Sequence, residues 1–118
     1  PKNLRVLLVD DDILVSMGAA DMLLDLGHSV TEAQSGNHAL RLLESDSPFD
    51  VVVTDYAMPG MNGFELAQRI KERNSRLPVI LATGYAELPA NRSIEFARLS
   101  KPYTAKDLAA ALEKAVSS

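Results

Sequence analysis

Leu4-Arg5-Val6-Leu7-Leu8-Val9-Asp10-Asp11-Asp12 changes character at a single peptide bond. Four consecutive apolar residues, Val6 to Val9, read as a strand buried on both faces, the pattern of an inner strand in a parallel sheet. The three aspartates then set negative charge at that strand's carboxyl end. Next comes a helical stretch with Val15, Ala19, Met22, Leu23 and Leu26 on one face, closed by Gly27 near its C-cap. A βα unit with acids at the turn is therefore the first module of the chain.

The same alternation continues outward. Ser29 to Ala33 is shorter and more polar, and reads as an edge strand. Ala39, Leu40 and Leu43 mark a second helix that stops before Pro48. Val51-Val52-Val53 is a third strand. Asn62 with Glu65 has capping-box spacing and opens a helix through Ile70. Val79 to Ala82 is a fourth strand, and Arg98-Leu99-Ser100 a weak fifth. Thr104 with Asp107 caps a last helix, along which Leu108, Ala111, Leu112, Ala115 and Val116 follow the helical period. Five strands alternating with helices predict right-handed crossovers and one doubly wound parallel α/β sheet. Gly84 to Ser93 is the least regular stretch, and Pro89 interrupts any long helix there.

The 118 residues suit one domain, 1–118, and 47% hydrophobic content is enough for a real core. No apolar run approaches the roughly 20 residues of a membrane helix, and no signal or transit peptide is visible. The absence of cysteine removes disulfides, thiolate nucleophiles and Cys-ligated zinc. A net charge of −4 argues against direct nucleic-acid binding, which needs a basic face. The first residue is proline, pointing to a domain excised from a longer protein or a removed initiator methionine.

Ligands in doubly wound sheets bind beyond the carboxyl ends of the strands. Asp10, Asp11 and Asp12 follow the first strand, Asp55 closes the third, Thr83 the fourth, and Lys101 the fifth. Crowded carboxylates need something to offset their repulsion. A hard divalent cation does so, and Mg²⁺ favours oxygen ligands. A remaining carboxylate can then act as a nucleophile toward phosphorus, with Lys101 and Thr83 stabilising the phosphoryl oxygens.

Taken together and in order, the Asp10-Asp11 pair, Asp55 within Val53-Thr54-Asp55-Tyr56-Ala57-Met58-Pro59-Gly60-Met61-Asn62-Gly63, Thr83, and Lys101-Pro102 resemble the receiver domain of two-component response regulators. The resemblance runs from Leu4 to about Val116. It implies a flavodoxin-like (βα)5 fold of strand order 2-1-3-4-5, and phosphoryl transfer to Asp55 from phosphohistidine on a histidine kinase or histidine phosphotransfer domain. It also implies Mg²⁺, with Mn²⁺ as a substitute, held by Asp11, Asp55 and the Ala57 carbonyl, and by Asp10 through water. Thr83 and Lys101 would hold the phosphoryl oxygens and relay the change. Such a domain is a switch with self-catalysed phosphoryl uptake and hydrolysis, not a conventional enzyme. The stretches Asp55 to Gly60 and Ala82 to Pro89 are most similar to the C-terminal receivers of hybrid histidine kinases. That likeness implies a cytoplasmic relay role, with tethering through upstream domains as one arrangement, and no direct membrane contact.

Two features depart from the family pattern. Arg98 occupies the place, three before the lysine, where receivers usually carry a switching aromatic, and Phe96 shares its strand parity. The stretch from Thr83 to Lys101 is about one helical turn, ~4 residues, short, which predicts a short or irregular fourth helix. Both departures predict output through a face other than the common dimerisation face. Ala57 lacks a side chain able to position water, which predicts slow dephosphorylation.

Blander readings stand beside these. Asp12 reads as a helix cap, and alone Thr83 or Lys101 would be an ordinary turn or surface residue. His28 and His38 have no ligand spacing and read as surface residues. Met58 and Met61 read as packing, and Gly60 and Gly63 as loop and helix-start residues. No phosphate-binding glycine loop is present. Asp10-Asp11-Asp12 loosely fits the D-x-D motif of haloacid-dehalogenase-like phosphatases, with Asp10 as nucleophile and Asp12 as acid. A pseudo-receiver, an interaction module that is never phosphorylated, is the remaining alternative.

Overall fold

The computed structural model describes residues 3–45, 48–84 and 96–117. The strands are β1 (Arg5–Val9), β2 (Ser29–Ala33), β3 (Val51–Asp55), β4 (Val79–Thr83) and β5 (Ala97–Ser100). The helices are α1 (Ile13–Asp25), α2 (Gly36–Leu43), α3 (Gly63–Arg73) and α4 (Ala105–Val116). The strands form one parallel sheet of order β2-β1-β3-β4-β5. This is the flavodoxin-like order expected from the sequence. The expected helix between β4 and β5, with Pro89, lies outside the described residues.

The strand alternation divides the core into two layers. Leu7, Val9, Val52 and Leu81 face one side, where Ala39 and Leu40 of α2 and Leu66, Ala67 and Ile70 of α3 cover them. Val6, Leu8, Val51, Val53 and Ile80 face the other, under Ala19 and Leu23 of α1 and Leu108 and Leu112 of α4. β3 and β4 are buried along their whole length, as strands covered on both faces must be.

The helix starts follow local capping chemistry. Asp12 caps α1, accepting from the Leu14 and Val15 N–H groups. Both capping boxes, Asn62 with Glu65 and Thr104 with Asp107, are formed. Gly27, just past the C-cap of α1, has φ +95°, where a side chain would be strained.

Two expectations are corrected. The buried face of α1 is Ser16, Ala19, Ala20 and Leu23, and Val15 is exposed. Ala19, Met22, Leu23 and Leu26 do pack against the core as expected; Ser16 is buried beside them because its hydroxyl donates to Glu32 on β2 at 2.6 Å, satisfying a polar group that would otherwise be buried without a partner. Val15 instead lines a groove with Met22, Lys101, Pro102 and Tyr103. His28 is buried rather than a surface residue. Its Nδ1 accepts the Leu4 N–H at 3.2 Å, so the imidazole closes the loop between α1 and β2 against the start of β1. His38 is half-buried on α2, and its Nδ1 accepts from the Gln34 N–H.

His28 carries a pH prediction. Burial pushes its imidazole below its ordinary value, because the charged form is poorly solvated there. Protonation would also remove the acceptor that Leu4 uses. The unfolded chain therefore binds the proton more readily than the folded one. The stabilisation is complete above about pH 6.5 and is lost as pH falls below it toward the depressed folded value. Denaturant melts of wild type and His28→Gln between about pH 7.5 and 5 should converge at the acid end. Parallel curves would refute this.

Candidate functional site

Every strand except β2 delivers a polar group to the same rim. The β1 backbone continues past Val9, the Asp10 N–H donating to the Ala33 carbonyl. The Tyr56 N–H donates to Ala82, and the Lys101 N–H to Thr83. These bonds hold residues 10, 55, 83 and 101 at four adjacent strand ends.

Asp10, Asp11 and Asp55 converge there, with one carboxylate oxygen from each lying within 4.8 Å of the others. Asp10 and Asp55 are buried and Asp11 is exposed. The Lys101 ammonium donates to Oδ1 of Asp55. Burial raises the Asp10 carboxyl above its ordinary range, and the Asp55 and Asp11 charges push it the same way. The Asp12 N–H, which donates to Asp10 Oδ1 at 2.9 Å, and the Lys101 charge act against that rise.

Three carboxylates against one ammonium leave an excess of negative charge in a partly dry place. An oxygen-only donor set with surplus charge fits a hard divalent cation, not a soft transition metal. Ala57 lies exposed in the turn two residues past Asp55, with Met58 buried beneath it. Gly60 has φ +74° in the same loop, and the Gly63 N–H donates to the Tyr56 carbonyl at 2.8 Å. The loop is thus stitched to the strand end that carries Asp55.

The remaining candidates divide. Thr83 is fully buried at the end of β4. Asp12 is not part of the acidic cluster, because its Oδ1 is occupied by the Leu14 and Val15 N–H groups. A phosphatase that needs Asp12 as its acid is therefore disfavoured. Phe96 is not beside Thr83 either. Its ring packs edge-on against Phe64, with centroids 5.8 Å apart, and Lys71 lies over it. What does reach Thr83 is Arg98, whose Nη2 donates to Oγ1 at 3.3 Å. In the sequence this residue stands out only as a missing aromatic. The usable signal is strand parity, since Arg98 pairs with Leu81 and so lies diagonally from Thr83 on one face.

Comparison with known proteins agrees with this arrangement. Residues 6–113 match the family described as response regulator receiver domain. The chain is 36% identical over 116 residues to the DNA-binding transcriptional regulator NtrC of Salmonella typhimurium, covering 95% of this chain but 24% of that protein. It is 36% identical over 116 residues to the sensor kinase CckA of Brucella abortus, covering 92% of this chain and 12% of the kinase. The chain thus spans a quarter or less of these two relatives. A receiver domain protein from Clostridium thermocellum superposes with a TM-score of 0.87 at 31% identity, covering 97% of this chain and 94% of that one. A match across nearly the whole sheet, the shared strand order and acids gathered at the strand ends have one common reading: the chain belongs to the response regulator receiver domain family of two-component signalling.

Proposed function

We propose that Asp55 is the phosphoacceptor, and that Asp10, Asp11 and Asp55, with the Ala57 carbonyl, would hold Mg²⁺. The observation that carries this reading is the convergence of three carboxylates within 4.8 Å with Lys101 already on Asp55. Bound there, the ion supplies charge neutralisation for the transferring oxygens. A carboxylate oxygen of Asp55 attacks phosphorus in line. The P–N bond of the donor phosphohistidine breaks, and its electron pair returns to the imidazole. Lys101 stays beside the acceptor and stabilises a phosphoryl oxygen, and the Thr83 hydroxyl donates to another. The aspartyl-phosphate then biases a two-state arrangement of the loops around Thr83 and Lys101.

Residues 1–118 act in this reading as a single domain, cytoplasmic, whose donor is a histidine kinase or phosphotransfer protein. The likeness to CckA supports a place in a hybrid kinase relay. Among the described residues no helix is long and apolar enough to cross a membrane. Acetyl phosphate with Mg²⁺, followed by peptide mass spectrometry, should locate a phosphoryl adduct on Asp55. Hydrolysis of phosphomonoesters that survives Asp55→Ala would favour a phosphatase instead. A chain that takes up nothing from either donor would be a pseudo-receiver.

Exposed apolar residues on α1 support an approach of the donor from that side. Ile13, Leu14 and Met17 are 60%, 78% and 53% exposed, immediately after the acidic cluster. An apolar patch beside a reacting rim is suited to the side of a partner helix carrying the phosphohistidine. Leu14→Asp should slow transfer from a cognate phosphohistidine protein by at least about tenfold. Uptake from acetyl phosphate should stay within about twofold. Equal slowing with both donors would mean that Leu14 acts on the site itself.

A further inference from the structure

Thr83 is wholly buried, yet its hydroxyl is bonded by a charged side chain from the neighbouring strand. β4 and β5 pair so that Leu81 faces Arg98 and Thr83 faces Ser100. Arg98 is therefore the diagonal neighbour of Thr83, close enough for a long side chain to reach along the sheet face. Its Nη2 donates to Oγ1 at 3.3 Å.

The chemistry of this bond is one-directional. A guanidinium has donors and no acceptor, whereas a hydroxyl has one proton and two lone pairs. Arg98 therefore occupies a lone pair of Thr83 and leaves the proton for a different acceptor. The positive charge also polarises the O–H bond, although Arg98 is itself exposed and water screens part of that effect; only Thr83 is fully buried. Threonine is β-branched and has few side-chain rotamers, so one such bond is enough to select among them.

We propose that Arg98 is a positioning residue for phosphoryl transfer: it holds Oγ1 of Thr83 so that the hydroxyl proton serves the phosphoryl oxygens of the group received at Asp55. This rests on the phosphoacceptor reading above and adds a residue to it. Arg98 touches neither Asp55 nor the acidic cluster among the described contacts, so its effect must pass through Thr83. A phenylalanine at this place could not exert it, having neither donor nor charge, and a tyrosine would bring a donor without the charge.

A double-mutant cycle tests the coupling. Uptake from acetyl phosphate at saturating Mg²⁺ is compared in wild type, Arg98→Met, Thr83→Ala and the double variant. Arg98→Met should slow uptake about tenfold with Thr83 present and by less than about twofold with Thr83→Ala. Arg98→Gln, which keeps a donor, should recover most of the rate. Three-bond NMR couplings should report one Thr83 χ1 rotamer in wild type and Arg98→Gln, and averaging in Arg98→Met. Equal slowing on both backgrounds, or no slowing, would overturn the proposal. If the double variant does not fold, an unchanged single rotamer in Arg98→Met overturns it alone. A wild-type chain that gains no adduct on Asp55 would instead overturn the receiver chemistry itself, an outcome separable from the others.

Discussion

Asp55→Asn should abolish phosphoryl uptake and leave the fold standing. The asparagine amide has nearly the shape of the carboxylate but is not a nucleophile toward phosphorus, so labelling from either donor should fall by at least about 10³-fold. The effect on stability should be small and of either sign. Lys101 loses the charge it bonds, which alone would be costly for a buried ammonium. Its side chain is 32% exposed, however, so water can take over part of that solvation. The Asp10 charge also acts on Lys101 and remains. Against that loss, one of three mutually repelling carboxylates disappears. Without divalent cations the variant should therefore melt within about 1 kcal/mol of wild type. A phosphorylated Asp55→Asn protein would place the acceptor elsewhere, and an unfolded one would make the Asp55–Lys101 pair a structural necessity.

Gly63→Ala should do the opposite, damaging the fold and, through it, the chemistry. A Cβ at Gly63 would lie 2.2 Å from the Asp55 carbonyl oxygen and 2.9 Å from both the Asp55 carbonyl carbon and Tyr56 Cα. All three are backbone atoms, so no side-chain rotation relieves the overlap. The first turn of α3 and the end of β3 would have to separate, breaking the Gly63 N–H bond to Tyr56. Overpacking of this kind costs about 3 kcal/mol, and for a chain of this length lowers the melting temperature by roughly 10 °C. Asp55 moves with its own backbone, so uptake by the folded fraction should fall as well. Gly36→Ala makes the contrast. There the clash is with the Met61 side chain, Sδ at 2.6 Å, and a flexible thioether can move away. Comparable melts for the two variants would show that the β3–α3 junction yields more than its geometry allows.

What could be read without coordinates was what depends on near neighbours in the chain. Asp12 as a cap, the Asn62–Glu65 and Thr104–Asp107 boxes, and the two-sided burial of Val51 to Val53 depend on spacings of a few residues, and all are formed. The acidic cluster was legible for a different reason: the rule that parallel strands present their carboxyl ends together converts four distant positions into one rim. What escaped depends on tertiary register. Ser16 on α1 can be buried because its hydroxyl finds Glu32 on another element. His28 is buried because Leu4 closes over it from 24 residues away. Arg98 meets Thr83 only because β4 and β5 pair in one particular alignment. Arg98 is exposed, as an arginine in a sequence is read to be, and only the alignment shows which buried hydroxyl it reaches.

The two-ended build of the sheet also bears on how a donor can be supplied. Asn3 bonds Gly27 at the start of β1, and Ala115 near the end of α4 lines a hollow with Pro78, Val79 and Phe96, at the starts of β4 and β5. Both described chain ends therefore emerge at the rim opposite Asp55, about 17 Å away along a five-residue strand. A phosphohistidine carried on the same polypeptide would have to double back around the outside of the molecule on a leash longer than a tight turn. Leash length, more than contact chemistry, would then set how often a covalently attached donor reaches this aspartate in preference to one arriving by diffusion.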